Sequence, residues 1–278
     1  MKASNLISRQ IRVLGLFLGQ AANKMAEALL SYAANFLNIC ALFYRLLMTT
    51  FASGVGLRLV WRETAQQIYF TAIQGVHVLV FSALTLGLVV IVHATQQLVK
   101  VQGEEFVGWL LVTLVVREVG PVWAAFFVLL RSGSAMTAEL GTLSVTREVE
   151  ALEMMGIDPY RYLGVPRFWG LTISLVALYV LCAFTAVLGG FFFAQIFADV
   201  FWGEFWLSFI NSLQWLDLAV GFAKCTAFGM IIASVSIYFG LKAEKHLGEI
   251  ALYTSKGALT SLVLLVGFDI ILTTAYYL

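Results

Sequence analysis

The sequence predicts an all-α, polytopic membrane protein, and three observations carry this prediction. The 278 residues are 61% hydrophobic and 12% charged, whereas soluble domains carry about 25% charged residues. The mean hydropathy is +0.91, and several uncharged runs reach the roughly 20 residues that a helix needs to cross a bilayer. Only three prolines interrupt the chain. We expect an N-terminal interfacial helix, about five transmembrane helices and a short cytoplasmic helix.

Residues 1–63 form the predicted N-terminal cytoplasmic and interfacial segment. Basic residues precede an apolar stretch, Val13–Leu18, which is shorter than the roughly 7–15-residue core of a signal peptide, so we expect it to be retained. From Gln20 to Ser53, polar residues such as Lys24, Glu27 and Asn38 recur at helical spacing among apolar ones. This pattern favours a helix in the membrane interface; a crossing helix with its polar stripe against protein is the alternative.

Residues 64–278 form the predicted transmembrane permease domain. Phe106–Leu140 would be about 52 Å of helix at 1.5 Å per residue, which exceeds a hydrocarbon core of about 30 Å. We expect a kink or a break at Gly120–Pro121, with the first half shallow or re-entrant. Asp199–Asp217 and Lys242–Lys256 are predicted loops. The predicted spans are Ile73–His93, Pro121–Gly141, Phe168–Ala198, Leu218–Leu241 and Gly257–Leu278.

The distribution of basic residues predicts the orientation of these spans. Five spans place the N-terminus, the Ser144–Arg167 loop and the Lys242–Lys256 loop on one side, together with most basic residues outside the spans. The opposite side holds Lys100 and a group of acids. We therefore expect the N-terminus in the cytoplasm and the C-terminus on the other side of the membrane.

Four charged residues lie at predicted membrane depth: Arg117, Glu118, Lys224 and Asp269. Such charges are costly unless they are paired, and they usually face a cavity or a protein partner. Arg117 and Glu118 are consecutive and point about 100° apart on a helix, so at least one needs a distant partner, which Lys224 or Asp269 could supply. The group is either an ion-pair network that fixes packing or the polar lining of a cavity for a charged or zwitterionic ligand; the two are compatible.

A face of small residues follows, with Gly133, Thr137 and Gly141 at four-residue intervals. Small residues at this spacing let helix backbones approach closely in lipid. The face could form a seam between two copies of the chain, or it could pack within one chain.

The segment Thr146–Met155 predicts a short helix outside the membrane. Thr146 can cap its start, acids suit its first turn, and Gly156 suits the left-handed position after its end. A helix this short is marginal alone. It is either an ordinary loop helix lying on the membrane or a docking helix for a cytoplasmic partner, with methionines as adaptable contacts. Its residues include Thr146, Arg147, Glu148, Val149, Glu150, Leu152, Glu153, Met154 and Met155.

Several functional classes are excluded by missing motifs. The sequence contains no phosphate-binding loop, nucleophile elbow, CxxC pair or HExxH site, and no basic-aromatic pattern that suggests nucleic acid. We therefore expect a chain that is not an enzyme, has no metal site and binds no cofactor itself; any ATP must bind to another chain. Cys40, Cys182 and Cys225 are isolated in apolar surroundings and are interpreted as packing residues.

The densest cluster of these features, Val116–Trp169, resembles a known family. The runs REVGPVWAAFFVLLRSGSAMTAELG, EALEMMGIDP and VPRFW are similar to the MlaE-type permeases of ABC transporters associated with MCE proteins. The five-span layout with an interfacial helix fits nearly the whole chain. One departure stands out, because the family usually reads TEQ where this chain has Thr146-Arg147-Glu148. That difference alters the charge pattern facing a partner.

The resemblance implies a permease subunit that moves phospholipids between the bacterial inner membrane and a periplasmic MCE-protein oligomer and maintains outer-membrane lipid asymmetry. It implies a homodimer, a cytoplasmic ABC ATPase dimer that binds ATP-Mg and docks on Thr146–Met155, and room for a small accessory subunit. A lipid cavity between the two permeases would use Arg117, Glu118, Lys224 and Asp269. Two alternatives are an ion-coupled secondary transporter with Glu118 or Asp269 as proton carrier, and a structural membrane anchor for MCE proteins.

Overall fold

A computed structural model describes residues 30–50, 57–98, 107–198, 202–243 and 246–278. The described residues form helices and turns and contain no strand, which confirms the predicted all-α fold class. The chain divides into two compact units, residues 1–45 and 46–278, and the second contains the charged cluster and the cavities discussed below. The predictions for the first 29 residues and for Lys100 lie outside the described part.

Long helices dominate the described residues, and three short π-helical segments lie within the helical runs. The π-helical segments are Val112–Val119, Leu129–Gly133 and Tyr160–Gly164, and a 3-10 turn covers Ile73–Gly75. The α-helices are α1 (Leu30–Thr50), α2 (Leu57–Thr71), α3 (Val76–Leu98), α4 (Val107–Leu111), α5 (Gly120–Val128), α6 (Ser134–Val145), α7 (Glu148–Met154), α8 (Val165–Ala198), α9 (Trp202–Ser212), α10 (Trp215–Leu241) and α11 (Leu247–Tyr277).

Within the described residues, six helical stretches are long and apolar enough to cross a membrane. Five of them overlap the five predicted spans, and the sixth, Leu30–Thr50, is the helix predicted to lie in the interface. Length and hydropathy allow either placement of that helix, so its interfacial position stays a prediction. The other five are Val60–His93, Gly108–Val145, Tyr160–Ile196, Trp215–Leu241 and Leu247–Tyr276.

The break predicted as one alternative at Gly120–Pro121 is absent, since the helical run continues from Val107 to Val145, and a kink there stays a prediction. A proline inside an α-helix clashes with the carbonyl four residues earlier and removes a hydrogen bond. The π-helical segment before Pro121 widens the turn, and the Gly120 N–H donates to the carbonyl of Val115, five residues back. The extra residue in that turn accommodates the proline without breaking the helix.

Two predicted loops also contain helix. The segment Asp199–Asp217 includes α9, whose Trp206 ring packs against Phe191 of α8 and Phe209 of α9 itself. The segment Lys242–Lys256 includes the first ten residues of α11. Its polar residues extend a transmembrane helix into water, because polarity marks exposure to solvent and does not by itself end a helix.

The core of the unit lies where α3 packs along α8. Gly87 of α3 sits directly on the α8 backbone, because a Cβ atom at this position would lie 2.2 Å from the carbonyl oxygen of Ala186. Such close approach is typical of helix packing in lipid. Cys182 and Cys225 are fully buried, as their interpretation as packing residues requires, whereas Cys40 is exposed.

Candidate functional site: a charged cluster at the α10–α11 face

The π-helical segment Val112–Val119 places two consecutive charges, Arg117 and Glu118, opposite the same pair of helices. Arg117 reaches Asp217 of α10 and Tyr276 of α11, and Glu118 reaches Lys224 of α10 and Thr273 of α11. Consecutive residues of a regular α-helix point about 100° apart, yet these two side chains contact the same pair of helices. The wider turn of the π segment and the length of the side chains let both reach one face at different heights.

Asp217 organises the first half of the cluster. Its Oδ1 lies 2.6 Å from Arg117 Nη2 and accepts a hydrogen bond of 3.0 Å from the Tyr276 hydroxyl. Its Oδ2 accepts a bond of 3.2 Å from the backbone N–H of Gln214, which closes a capping box at the start of α10. The Arg117 guanidinium also lies 4.8 Å from the centre of the Tyr276 ring, within the range of a cation–π contact. One carboxylate thus caps a helix and neutralises a cation.

Lys224 organises the second half. Its Nζ lies 2.7 Å from Glu118 Oε2 and 3.1 Å from Asp269 Oδ1, and it donates to Thr273 Oγ1 at 2.8 Å. The Thr273 hydroxyl in turn donates to Glu118 Oε2 at 3.1 Å. Three helical segments therefore meet at one ammonium group, and hydrogen bonds support the ion pairs.

Burial and charge differ across the cluster. The side chains of Lys224 and Asp217 are fully buried, whereas those of Glu118 and Asp269 each keep 23% of their surface exposed. The two cations face three carboxylates, so the formal charge is −1 when all five groups are ionised. The exposed part of the Glu118 and Asp269 side chains is therefore the part of the cluster that a ligand can reach, and the net negative charge favours a ligand with a cationic group.

All four charges predicted at membrane depth lie in this cluster. Lys224 is the partner of Glu118, as expected, whereas Asp269 contacts Lys224 and not Arg117 or Glu118. The sequence interpretation missed Asp217, Thr273 and Tyr276. A spacing signal was present, because Asp217 and Lys224 are seven residues apart, and Asp269, Thr273 and Tyr276 follow one another at four and three residues. Both spacings place side chains on one face of a helix. The sequence therefore contains one polar stripe on α10 and another on α11, and they are recognised as one cluster only when the two helices are seen to pack together.

The short helix α7 lies at the end of the same helical run. It covers Glu148–Met154 and contains no buried residue. Met154 and Met155 keep 83% and 65% of their surface exposed. Gly156 adopts φ = 75°, and the N–H of Ile157 donates to the carbonyl of Leu152, so the predicted left-handed end of the helix is present.

The start of α7 differs from the expectation. Arg147 precedes the helix in a left-handed conformation with φ = 61° and makes no side-chain cap. The Thr146 hydroxyl instead lies 2.9 Å from the carbonyl of Thr142 and 3.0 Å from Glu148 Oε1. Thr146 therefore bonds back to the preceding helix, and the predicted Thr146 cap is wrong.

Comparison with known proteins identifies the family. A family model described as "Permease MlaE" matches residues 64–275, which is most of the chain and includes the charged cluster and α7. The chain belongs to the MlaE permease family. It is therefore a multi-pass membrane protein and a transporter subunit.

Relatives of this MlaE-family permease include named transport proteins. The chain is 29% identical over 213 residues to the intermembrane phospholipid transport system permease protein MlaE of Haemophilus influenzae, which covers 76% of this chain and 82% of the relative. It is 26% identical over 212 residues to a probable ABC transporter permease protein of Rickettsia prowazekii, with the same coverage. It is 26% identical over 221 residues to the chloroplastic protein TRIGALACTOSYLDIACYLGLYCEROL 1 of Arabidopsis thaliana, covering 78% of this chain and 62% of the relative.

The small-residue face of this permease packs within the chain. A Cβ atom at Gly133 would lie 3.0 Å from Ile232 of α10, and one at Gly141 would lie 3.4 Å from Ile250 of α11. Thr137 between them is buried, and its hydroxyl donates to the carbonyl of Gly133 at 3.0 Å. These contacts occupy the face with residues of the same chain, and a seam between two copies stays a prediction.

Proposed function

We propose that this chain is the permease subunit of an ABC transporter that moves phospholipids between the bacterial inner membrane and a periplasmic MCE-protein oligomer. In this proposal the transporter maintains the lipid asymmetry of the outer membrane. Two copies of the chain form a dimer with a lipid cavity between them, and a separate ATPase dimer binds ATP-Mg. The N-terminus lies in the cytoplasm and the C-terminus in the periplasm.

The charged cluster is the observation that carries the proposal. Phospholipids need apolar walls for their acyl chains and a few charges for their headgroups. The α10–α11 face supplies both, because the partly exposed side chains of Glu118 and Asp269 lie among long apolar helices. Membership of the MlaE family and the phospholipid transport named for the Haemophilus relative support the same substrate class.

The helix α7 is the proposed docking site of the ATPase. It is short and contains no buried residue, and its exposed methionines offer a flexible apolar contact. It adjoins α6 through only Thr146 and Arg147. From there the helical run leads back over about 40 Å, at 1.5 Å per residue, to Glu118. We propose that ATP binding draws the two α7 helices together and that this run transmits the displacement to the cluster.

Reconstitution tests this proposal directly. The chain is co-expressed with the ATPase and MCE protein of its own genome, purified, and inserted into vesicles of phosphatidylethanolamine and phosphatidylglycerol. Transfer of a labelled phospholipid to the MCE protein is then measured with ATP, without ATP, and with a proton gradient in place of ATP. A complex with a hydrolysis-deficient ATPase is the control.

Each pattern of transfer separates the alternatives. Transfer that needs ATP and stops in the hydrolysis-deficient complex supports the proposed function. Transfer driven by the proton gradient alone would replace it with an ion-coupled transporter that uses Glu118 or Asp269. A stable complex with the MCE protein and no transfer under any condition would leave the structural anchor as the explanation.

A further inference from the structure

Three cavities lie away from the charged cluster. The first, of about 310 Å³, is the most polar of the three and lies where α2, α6 and the start of α8 meet; it is called the polar cavity below. The second and third, of about 400 and 420 Å³, are lined almost entirely by apolar groups of α3 and α5. The residues of the first cavity that matter here are Glu63, Gln67, Phe70, Glu139, Tyr162 and Arg167.

Shared residues join the two apolar cavities, and a contact between Arg131 and Phe70 places the polar cavity beside them. Ser82 and Trp123 line both apolar cavities, and the indole Nε1 of Trp123 donates to Ser82 Oγ at 3.3 Å. Arg131 lines the nearer apolar cavity, and its guanidinium lies 5.2 Å from the ring centre of Phe70, which lines the polar one. The cavities therefore form one groove with a polar end and an apolar end.

Arg131 fixes the junction between the two ends. Its Nη1 donates to the carbonyls of Phe70 and Thr71 at 2.9 and 3.2 Å. These are the last carbonyls of α2, which lack partners inside the helix. The backbone carbonyls and the Phe70 ring thus hold the guanidinium in place. It forms part of the groove wall at the boundary between the polar cavity and the first apolar cavity.

The length of the groove matches an acyl chain. Phe70 and Ser82 are twelve residues apart, which corresponds to about 18 Å along a helix. One leaflet contributes about half of a hydrocarbon core of roughly 30 Å. An amphiphile with its headgroup in the polar cavity would therefore extend through the first apolar cavity to the depth of the bilayer centre.

The charges of the polar cavity indicate which headgroup fits. Its single cation, Arg167, is held by Glu139 Oε1 at 2.6 Å and by the carbonyl of Leu163 at 3.1 Å. Among the described side chains, the cation beside Glu63 is Arg62, at 3.8 Å, and the Arg62 side chain is 71% exposed. The cavity therefore holds one carboxylate in excess, beside Phe70 and Tyr162, and this combination favours an ammonium group.

We propose that this groove binds one glycerophospholipid with an ammonium headgroup, such as ethanolamine or choline, from the leaflet nearest Glu63. The carboxylates of the polar cavity receive the ammonium group, and an acyl chain lies along α3. The inference rests on the proposed function and adds an access site to it. Val119 lines the far end of the groove while its neighbour Glu118 contacts Lys224, so the groove ends one residue from the charged cluster.

Photocrosslinking with lipid probes tests the groove. The permease–ATPase complex is placed in nanodiscs that contain phosphatidylethanolamine with a diazirine on one acyl chain, and, in parallel, phosphatidylglycerol with the same chain. Crosslinked residues are mapped by mass spectrometry after illumination without ATP. We expect phosphatidylethanolamine to label Val78, Trp123 and Phe126, and phosphatidylglycerol to label them less, by roughly 2–5-fold for a partly exposed charge contact.

Two pairs of variants control for general effects. Val78→Trp fills the groove, and Val180→Trp places the same bulk on the exposed face of α8; the two valines are 49% and 47% exposed. Glu63→Gln removes the excess carboxylate, and Glu249→Gln makes the same change at the start of α11. We expect labelling at Trp123 to fall to the level of bulk lipid in Val78→Trp, and the preference for phosphatidylethanolamine to disappear in Glu63→Gln. Both controls should match the wild type.

The outcomes separate this inference from the proposed function. Equal labelling of Trp123 in Val78→Trp and Val180→Trp, or equal labelling by both lipids in the wild type, would overturn the groove site even if ATP-driven transfer is normal. Groove labelling with the expected preference in a complex that shows no ATP-driven transfer would retain the lipid site and reject the proposed function. Because Glu63→Gln changes no volume, it tests the headgroup contact even if Val78→Trp fails to fold.

Discussion

Lys224 Nζ lies 2.7 Å from Glu118 Oε2, and the same ammonium group lies 3.1 Å from Asp269 Oδ1. A single buried cation therefore pairs with two carboxylates from two other helical segments and leaves one negative charge in excess. Residues that share a partner in this way contribute to stability in a coupled manner. Removing the lysine leaves two like charges beside each other, whereas removing one carboxylate leaves an ordinary ion pair.

The first prediction compares removal of the lysine with removal of one of its two carboxylate partners. Lys224→Met should lower the free energy of unfolding by roughly 3–5 kcal/mol, the usual cost of breaking a buried ion pair. Glu118→Gln should cost less, because Asp269 still neutralises the lysine. The double variant Lys224→Met/Glu118→Gln should be more stable than Lys224→Met alone, since the carboxylate pair is gone. Denaturant unfolding of the purified chain in detergent checks all three.

The control for this cycle is Lys242→Met, which removes an exposed lysine at the end of α10. It should leave the unfolding midpoint close to that of the wild type. Wild-type stability in Lys224→Met combined with loss of phospholipid transfer would contradict the packing role and assign the ammonium group to the ligand alone.

Asp217 carries the second prediction, since it both caps α10 and neutralises Arg117. Tyr276→Phe removes one hydrogen bond to the carboxylate and should cost about 1.5 kcal/mol, the lower end for a bond to a charged group. Asp217→Asn leaves the Arg117 guanidinium without its carboxylate and should cost more, roughly 3–5 kcal/mol. The two variants are compared by the same unfolding assay. A smaller loss in Asp217→Asn than in Tyr276→Phe would show that Arg117 does not depend on Asp217.

The sequence predicted which residues belong to the charged cluster better than it predicted how their side chains are arranged. Charged residues are so costly at membrane depth that Arg117, Glu118, Lys224 and Asp269 stand out in any apolar run. Their arrangement depends on the π-helical segment before Pro121, which changes the direction of consecutive side chains. A proline predicts that the regular α-helix is disturbed. Whether the helix kinks there or takes one extra residue into a wider turn depends on what packs around it.

Asp217 is a cluster residue that the sequence alone did not identify. It lies at the edge of an aromatic, partly polar segment, so its composition resembles that of an interfacial loop. Only the start of α10 at Trp215 turns Asp217 into a first-turn residue whose carboxylate is fully buried. The same holds for the first ten residues of α11, because helices that extend beyond the bilayer lose the apolar pattern that identifies them.

The contact between α3 and α8 gives the third prediction. A Cβ atom at Gly87 would meet the backbone of Ala186, which cannot move as a side chain can. Gly87→Val should therefore cost about 3 kcal/mol, at the upper end for overpacking, and lower the melting temperature in detergent. Gly267→Val is the matched control, since no atom lies within 4 Å of a Cβ at that transmembrane position. Equal melting temperatures for the two variants would contradict the close packing.

The exposed methionine of α7 gives the last prediction. Met154 keeps 83% of its surface exposed in this chain, so Met154→Ser should leave the stability of the isolated permease unchanged. If α7 docks the ATPase, burial of this side chain contributes roughly 1.5–3 kcal/mol, and the variant should bind the ATPase about 10–100-fold more weakly. Binding is measured by co-purification and by titration of the ATPase onto permease in nanodiscs.

The matched control for Met154 is Leu247→Ser, because Leu247 is also apolar, 67% exposed and near the start of a helix outside the predicted bilayer core. Its affinity for the ATPase should equal that of the wild type. Glu150→Lys, on the same short helix, should also uncouple the ATPase, because it reverses a charge on the docking surface. Unchanged ATPase affinity in both α7 variants would remove α7 from the interface, and the path from α7 to Glu118 would then transmit no signal from ATP.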